Sequence, residues 1–325
     1  MEFFTHPAFI WTVVALVGTG ILLIPLTLIV ASRCVYFATL KRGSKDKWSR
    51  DLPSSLDASS VEMYRIGLEW AAENKEHARE VHTVRDGLNL FGEYYDFGGK
   101  RCAVILSGRT ETLKYGYYFA IPYAKAGCNI LVLDPRAHGK SDGEYNTVGF
   151  EESRDIIKWI ETIEEEKNIH SFVFHGICIG AAGGMLALTS ENAPRSVEAM
   201  VTEGMFPNFG ESMKNHLIER HKPVFPLYNM INGLMKRRTG HSMDFGPIDV
   251  IDKLDRPLLM LHSKEDTYST PYYAERLFEK AGTSDKQLVW FPKGRHSMLR
   301  ITDTERYDAA ITDFLTHLDN TTKGE

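Results

Sequence analysis

From Ala8 to Ala31 the chain carries no charged residue and shows no polar face. A helix needs about 20 apolar residues to cross a bilayer, and this run supplies them. Pro25, Gly18 and Gly20 are tolerated inside such a helix. A cleaved signal sequence would open on Lys or Arg and have a shorter apolar core. Met1 to His6 contain neither Lys nor Arg. The pattern therefore predicts a retained transmembrane anchor over residues 8–32. Residues 33–78 read as a juxtamembrane segment. Lys41 to Ser60 is polar, with Pro53 and several serines, and reads as a linker. From Val61 to Asn74, apolar Met63, Ile66, Leu68, Trp70 and Ala71 follow a helical stripe.

Over residues 79–320 short apolar runs alternate with helical stripes. Asp86-Gly87 between two alternating runs signals a hairpin. Cys102–Leu106, Asn129–Leu133, Phe172–Phe174, Val197–Val201, Pro257–Leu261 and Leu288–Phe291 read as strands. Tyr115–Ala126, Phe150–Glu166 and Thr304–Leu318 read as helices. Strands alternating with helices predict an α/β fold with a mostly parallel central sheet flanked by helices. Gly204 to Asp249 breaks the rhythm and is rich in Phe, Pro, Met and Tyr. It reads as a small cap inserted over the site, at about residues 204–250.

The sharpest motif is Gly176-Ile177-Cys178-Ile179-Gly180. It follows a strand run and precedes the small residues Ala181, Ala182, Gly183 and Gly184. Strand, tight turn and helix with glycines on both sides make a nucleophile elbow, whose strained turn admits only very small flanking residues. The usual serine is here a cysteine. An elbow nucleophile needs a base and an acid, in the chain order nucleophile, acid, histidine. Asp266 follows the strand after the cap, and His296 lies in the loop after the last strand. The candidate triad is Cys178, Asp266 and His296. Glu265 and Glu203 are the other carboxylates that could serve as the acid. His138, His175 and His262 read as structural.

These residues, with Ser107-Gly108-Arg109-Thr110-Glu111-Thr112 and Asp134-Pro135-Arg136-Ala137-His138-Gly139-Lys140-Ser141, resemble the α/β-hydrolase superfamily. The two turns look like its lysophospholipase and monoacylglycerol-lipase branch. The resemblance covers roughly Glu80 to His317. It implies an oxyanion hole from the backbone N–H groups of Arg109 and Ile179. Some members of the superfamily, dienelactone hydrolases among them, also carry cysteine at the elbow.

Charge adds orientation. Arg33, Lys41, Arg42, Lys45, Lys47 and Arg50 follow the apolar run and none precedes it. The positive-inside rule then predicts a single-pass membrane protein with its catalytic part in the cytoplasm. A net charge of −5 gives no nucleic-acid signal. Cys34, Cys102, Cys128 and Cys178 have no metal-type spacing, and no nucleotide loop is present. No cofactor or metal is expected. The sequence thus predicts a membrane-anchored hydrolase of acyl esters or thioesters, working through an acyl-enzyme on Cys178. Its substrate would be an acyl or lipid-like small molecule. Met205, Phe206, Phe209, Phe225, Leu227, Tyr228, Met230 and Met235 would line an apolar acyl pocket or form the cap's own core. Acyl transfer to an acceptor other than water, and a non-catalytic binding protein on the same fold, are the alternatives.

Overall fold

The computed structural model describes residues 7–43, 57–167 and 169–322. Met1 to His6, the basic residues Lys45, Lys47 and Arg50, and most of the predicted linker lie outside the described residues.

The first helix, α1, spans Pro7–Leu40. α2 (Ala58–Glu73) is capped by Asp57, whose side chain accepts from Ser60 N–H at 3.1 Å. β1 (Ala78–Arg85) and β2 (Leu88–Tyr95) form the hairpin. Asp86 and Gly87 both have positive φ, as a two-residue turn matched to strand twist requires. There follow β3 (Cys102–Leu106), α3 (Leu113–Lys125), β4 (Asn129–Leu133), α4 (Phe150–Lys167), β5 (Phe172–Ile177) and α5 (Ile179–Leu188). β6 (Val197–Glu203) leads into the cap helices α6 (Phe209–Glu219) and α7 (Leu227–Thr239). β7 (Leu258–Ser263), α8 (Pro271–Lys280), β8 (Lys286–Phe291), α9 (Leu299–Thr302) and α10 (Thr304–Thr322) complete the described chain.

One eight-stranded sheet has the order β1-β2-β4-β3-β5-β6-β7-β8. β1 with β2 and β2 with β4 are antiparallel, and every other pair is parallel. β3, β4 and β5 are buried along their whole length, which explains their unbroken apolar sequences. Helices cover both faces and separate two apolar clusters, one on each side of the sheet. α2 packs on α3 through Met63, Tyr64, Gly67 and Trp70. A Cβ on Gly67 would approach Tyr118 N to 2.9 Å, so glycine there sets the closeness of the two helices.

α1 does not stop near residue 32. It is long and apolar enough to cross a membrane, and its most apolar stretch is solvent-facing on all sides. Its last third instead packs against α7. Ser32, Tyr36 and Leu40, spaced four apart, are buried. Arg238 of α7 stacks over Tyr36, Phe37 and Tyr145 and donates to Tyr145 Oη at 2.8 Å. Arg42 then donates to the carbonyls of Gly139 and Ser141. α1 is therefore a continuous rod fixed to the sheet-bearing part of the chain.

Candidate active site

Parallel strands deliver their C-terminal ends to one edge of the sheet, and the candidate residues leave from there. β5 ends at Ile177, and Cys178 caps α5 with φ 54° and ψ −112°. Such a conformation costs an L-residue roughly 1–3 kcal/mol and recurs at reactive positions. The flanking glycines have steric causes. A Cβ on Gly176 would collide with Ala181 Cα, and one on Gly180 with the carbonyl oxygen of Leu106. The Cys178 N–H donates to Glu203 O at 3.0 Å, tying the turn to the end of β6.

Asp266 follows β7. Its Oδ1 accepts from the N–H groups of Tyr268 and Ser269, at 2.9 and 2.8 Å. That leaves Oδ2 for His296, whose Nδ1 stands 2.7 Å away. The His296 side chain is 20 % exposed, toward the cleft. Its Nε2 is buried, and Cys178 acts on the ring both through charge and as a hydrogen-bond partner of the side chain. Burial would lower the pKa of His296. The influences of Cys178 and of the bonded Asp266 carboxylate outweigh it and push it up to about 10. Burial likewise opposes the charge on Asp266, but the bond to His296 holds its pKa below the usual value.

The other carboxylates go elsewhere. Glu265 Oε2 accepts from Gly294 N–H. Glu203 is fully buried, with Oε1 bonded to Leu299 N–H and Oε2 to the Tyr307 hydroxyl at 2.6 Å. Burial raises its pKa. His175 lies between the Tyr123 and Tyr307 hydroxyls, and burial pushes it down to about 3, so it is neutral. His262 contacts the Ser269 carbonyl at 2.6 Å.

The turns after β3 and β4 shape the opposite wall. His138 Nε2 accepts from Thr110 N–H at 3.1 Å, and Asp134 accepts from Leu113 N–H at 2.8 Å. These bonds hold the 108–112 loop beside the elbow, with Thr110 at φ 68°. Gly108 lies near enough that a Cβ would be 3.7 Å from Cys178 Cβ. The N–H groups of Arg109 and Ile179 donate to no acceptor among the described residues.

Cys178 and His296 face a cleft of about 510 Å³. Its walls include Arg109, His216, Arg220 and Tyr268, and also Ala38 and Thr39 from the end of α1. Arg109 donates to the Thr39 carbonyl at 3.1 Å. None of the apolar cap residues expected to form an acyl pocket lines it. Met205, Phe206, Phe209, Leu227, Tyr228 and Met235 are buried in the core under and within the cap, and Phe225 is exposed. Their helical spacing packs α6 and α7 together and leaves a polar rim to the cleft.

Sequence reasoning missed several neighbours of the site. Tyr268 lies with its ring 4.8 Å from that of His296. A Cβ on Gly204 would come within 2.9 Å of the His296 ring, so this glycine (φ 61°) lets the imidazole sit where it does. The shared segment Asp266-Thr267-Tyr268 was a clue to the first. No sequence signal brings His216, Arg220, Ala38 and Thr39 to the cleft.

A histidine with a raised pKa stabilises the fold fully below its unfolded value, about 6.5, and that contribution is lost as pH rises through about 10. Removing the thiol in Cys178→Ala takes away the largest raising influence. The His296 ring in that variant should lose its proton at a clearly lower pH than in the unaltered protein. Histidine-selective NMR titration measures this, and an unshifted titration would contradict the placement of the two side chains.

A family model for the alpha/beta hydrolase fold matches residues 104–227. An uncharacterized protein of Bacillus subtilis, YqkD, is 27 % identical over 225 residues, covering 68 % of this chain and 72 % of its own. A monoglyceride lipase of Saccharomyces cerevisiae is 24 % identical over 106 residues, 32 % of this chain and 33 % of that one. Among solved structures, the Pyrococcus furiosus esterase Pf2001 superposes with a TM-score of 0.64 at 18 % identity, covering 76 % of this chain and 93 % of the esterase. The family model, the sheet order and the strand–turn–helix at Cys178 agree that this chain has the α/β-hydrolase fold.

Proposed function

We propose that this protein hydrolyses acyl esters or thioesters through Cys178, His296 and Asp266. The observation that carries the reading is the His296 ring: one nitrogen is bonded to Asp266, and the other is buried beside Cys178, which acts on the ring by charge and by hydrogen bond. The Cys178 thiolate adds to the carbonyl carbon. The oxyanion is taken up by the N–H groups of Arg109 and Ile179, and preplaced donors of this kind are worth about 10²–10³ in rate each. His296 gives its proton to the departing alkoxide or thiolate as the carbon–heteroatom bond breaks, leaving a thioester on Cys178. It next takes a proton from water, whose oxygen attacks the thioester, and Cys178 leaves as thiolate. Asp266 fixes the ring's orientation and offsets its positive charge.

On this reading residues 8–32 anchor the chain in a membrane, residues 79–320 form the hydrolase domain with its cap at about 204–250, and the basic flank keeps that domain on the cytoplasmic side. The acyl or lipid-like substrate is supported by the anchor. The names of similar proteins, an esterase and a monoglyceride lipase, agree with an ester bond. Arg109 and Arg220 at the rim favour a substrate with an anionic group near the scissile bond. The test uses a thiol-reactive acyl-type probe on the detergent-solubilised full chain. Mass spectrometry should place the adduct on Cys178, at a rate at least tenfold lower in His296→Ala. Labelling of Cys178 no faster than of buried Cys102 would reject the activated nucleophile and favour a binding role. Adding amines or alcohols and finding acylated acceptors instead of free acid would redirect the reading to acyl transfer.

A further inference from the structure

The cap carries an exposed apolar feature that the catalytic reading does not use. Phe225 is 78 % exposed and Ile218 59 %, at the two ends of the turn between α6 and α7. Between them lie Glu219, Arg220, His221 and Lys222, all exposed, with Arg220 and Lys222 the two fixed cations. Large apolar tips on either side of basic residues are the composition of a segment that sits in a membrane interface.

Its position relative to α1 gives the feature meaning. Arg238, near the C-terminal end of α7, stacks on Tyr36 and Phe37, near the C-terminal end of α1. Upstream of that point on the same face of α1, Ser32 is buried and Ala31 and Val35 are half-buried against the core. α7 is the helix that packs along α1. The two helices pack side by side over the last third of α1. Arg220 of the turn lines one cleft with Ala38 and Thr39. The turn therefore lies beside the end of the uncharged stretch of α1, within about two helical turns of Arg33.

We propose that the 218–226 turn is a second membrane contact: Phe225 and Ile218 enter the leaflet through which α1 passes, and Arg220 and Lys222 meet anionic lipid headgroups. The occupant of this surface is a bilayer with anionic headgroups, and the surface depends on α1 being a membrane span. Charge complementarity and continuity with α1 both point to it. Arg220, in the same turn, and Ala38 and Thr39 of α1 line the catalytic cleft. The cleft mouth therefore opens at the bilayer surface, and substrate reaches Cys178 from the leaflet without crossing bulk water.

The test places a nitroxide at residue 225 of the full chain (Phe225→Cys) in nanodiscs containing phosphatidylserine, with Cys34→Ser and Cys178→Ser removing the accessible thiols. Labels at Leu23 of α1 and at exposed Tyr272 of α8 serve as references. The label at 225 should be relaxed by oxygen at least threefold more than by an aqueous nickel chelate, as at 23, with the opposite ratio at 272. A water-exposed label at 225 beside a lipid-exposed one at 23 overturns the proposal and leaves the anchor intact. Water exposure at both positions overturns the anchor and the proposal together. In otherwise unaltered protein, Ile218→Asp with Phe225→Asp should slow turnover of a bilayer-embedded ester about tenfold and that of a short soluble ester less than twofold. Equal loss on both would mean that the turn serves only the fold and would overturn the proposal.

Discussion

Cys178→Ala should remove ester or thioester turnover almost completely, by roughly 10⁴–10⁶-fold in kcat/KM, the range seen when a triad member is deleted from a hydrolase. His296→Ala should cost about as much, because a thiol without its base loses both the activation step and the proton for the leaving group. The double variant should be little worse than either single one, since the residues act as a unit. Asp266→Asn should be milder, at about 10⁴-fold, because the ring keeps its place but loses its charge partner and its tautomer control. Initial rates with a soluble ester and a soluble thioester measure all four. The backbone at position 178 is already strained at φ 54°, and alanine tolerates that conformation no worse than cysteine, so circular dichroism should report an unchanged fold. A Cys178→Ala protein that keeps more than a tenth of the rate would end the assignment of the nucleophile.

Gly180→Ala should have the largest effect on stability of any single methyl addition near the site, a loss of about 3 kcal/mol. The added Cβ would meet the carbonyl oxygen and carbon of Leu106 and the carbonyl oxygen of Ser107. All three are backbone atoms at the end of β3, a strand buried between β4 and β5, so nothing flexible can give way. Relief would require β3 and α5 to separate, which also shifts the Arg109 loop that follows β3. Activity should fall with stability. Gly233→Ala is the matched control: it lies on the exposed side of α7 with no atom near the new Cβ. A helical glycine in that setting gains roughly 0.5–1 kcal/mol on becoming alanine. Denaturant midpoints of the two variants in one detergent decide the matter. A Gly180→Ala midpoint equal to that of Gly233→Ala would mean that α5 does not approach β3 as described.

By itself the sequence determined what local chemistry encodes. The Asp86-Gly87 turn, the fully apolar β3, β4 and β5, and the glycines around Cys178 each carry their cause within a few residues: a positive φ, burial on both faces, a turn too tight for a Cβ. Chain order then led to Asp266 and His296, because parallel strands end at one edge and loops leaving that edge must converge. The choice among carboxylates was not local. Glu203, Glu265 and Asp266 all follow strands at that edge, and only packing sends Glu203 to Tyr307 and Glu265 to Gly294 while Oδ2 of Asp266 meets His296. The cap shows the same limit. Its phenylalanines and methionines are apolar whether they hold a ligand or one another, and the structure buries most of them in the core, leaving Arg109, His216 and Arg220 to the cleft. The extent of α1 was equally out of reach, because its hydropathy ends at Arg33 but its helix ends at Leu40. Contacts with α7 more than 190 residues later in the chain hold that last third in place, and no pattern confined to the first forty residues could announce them.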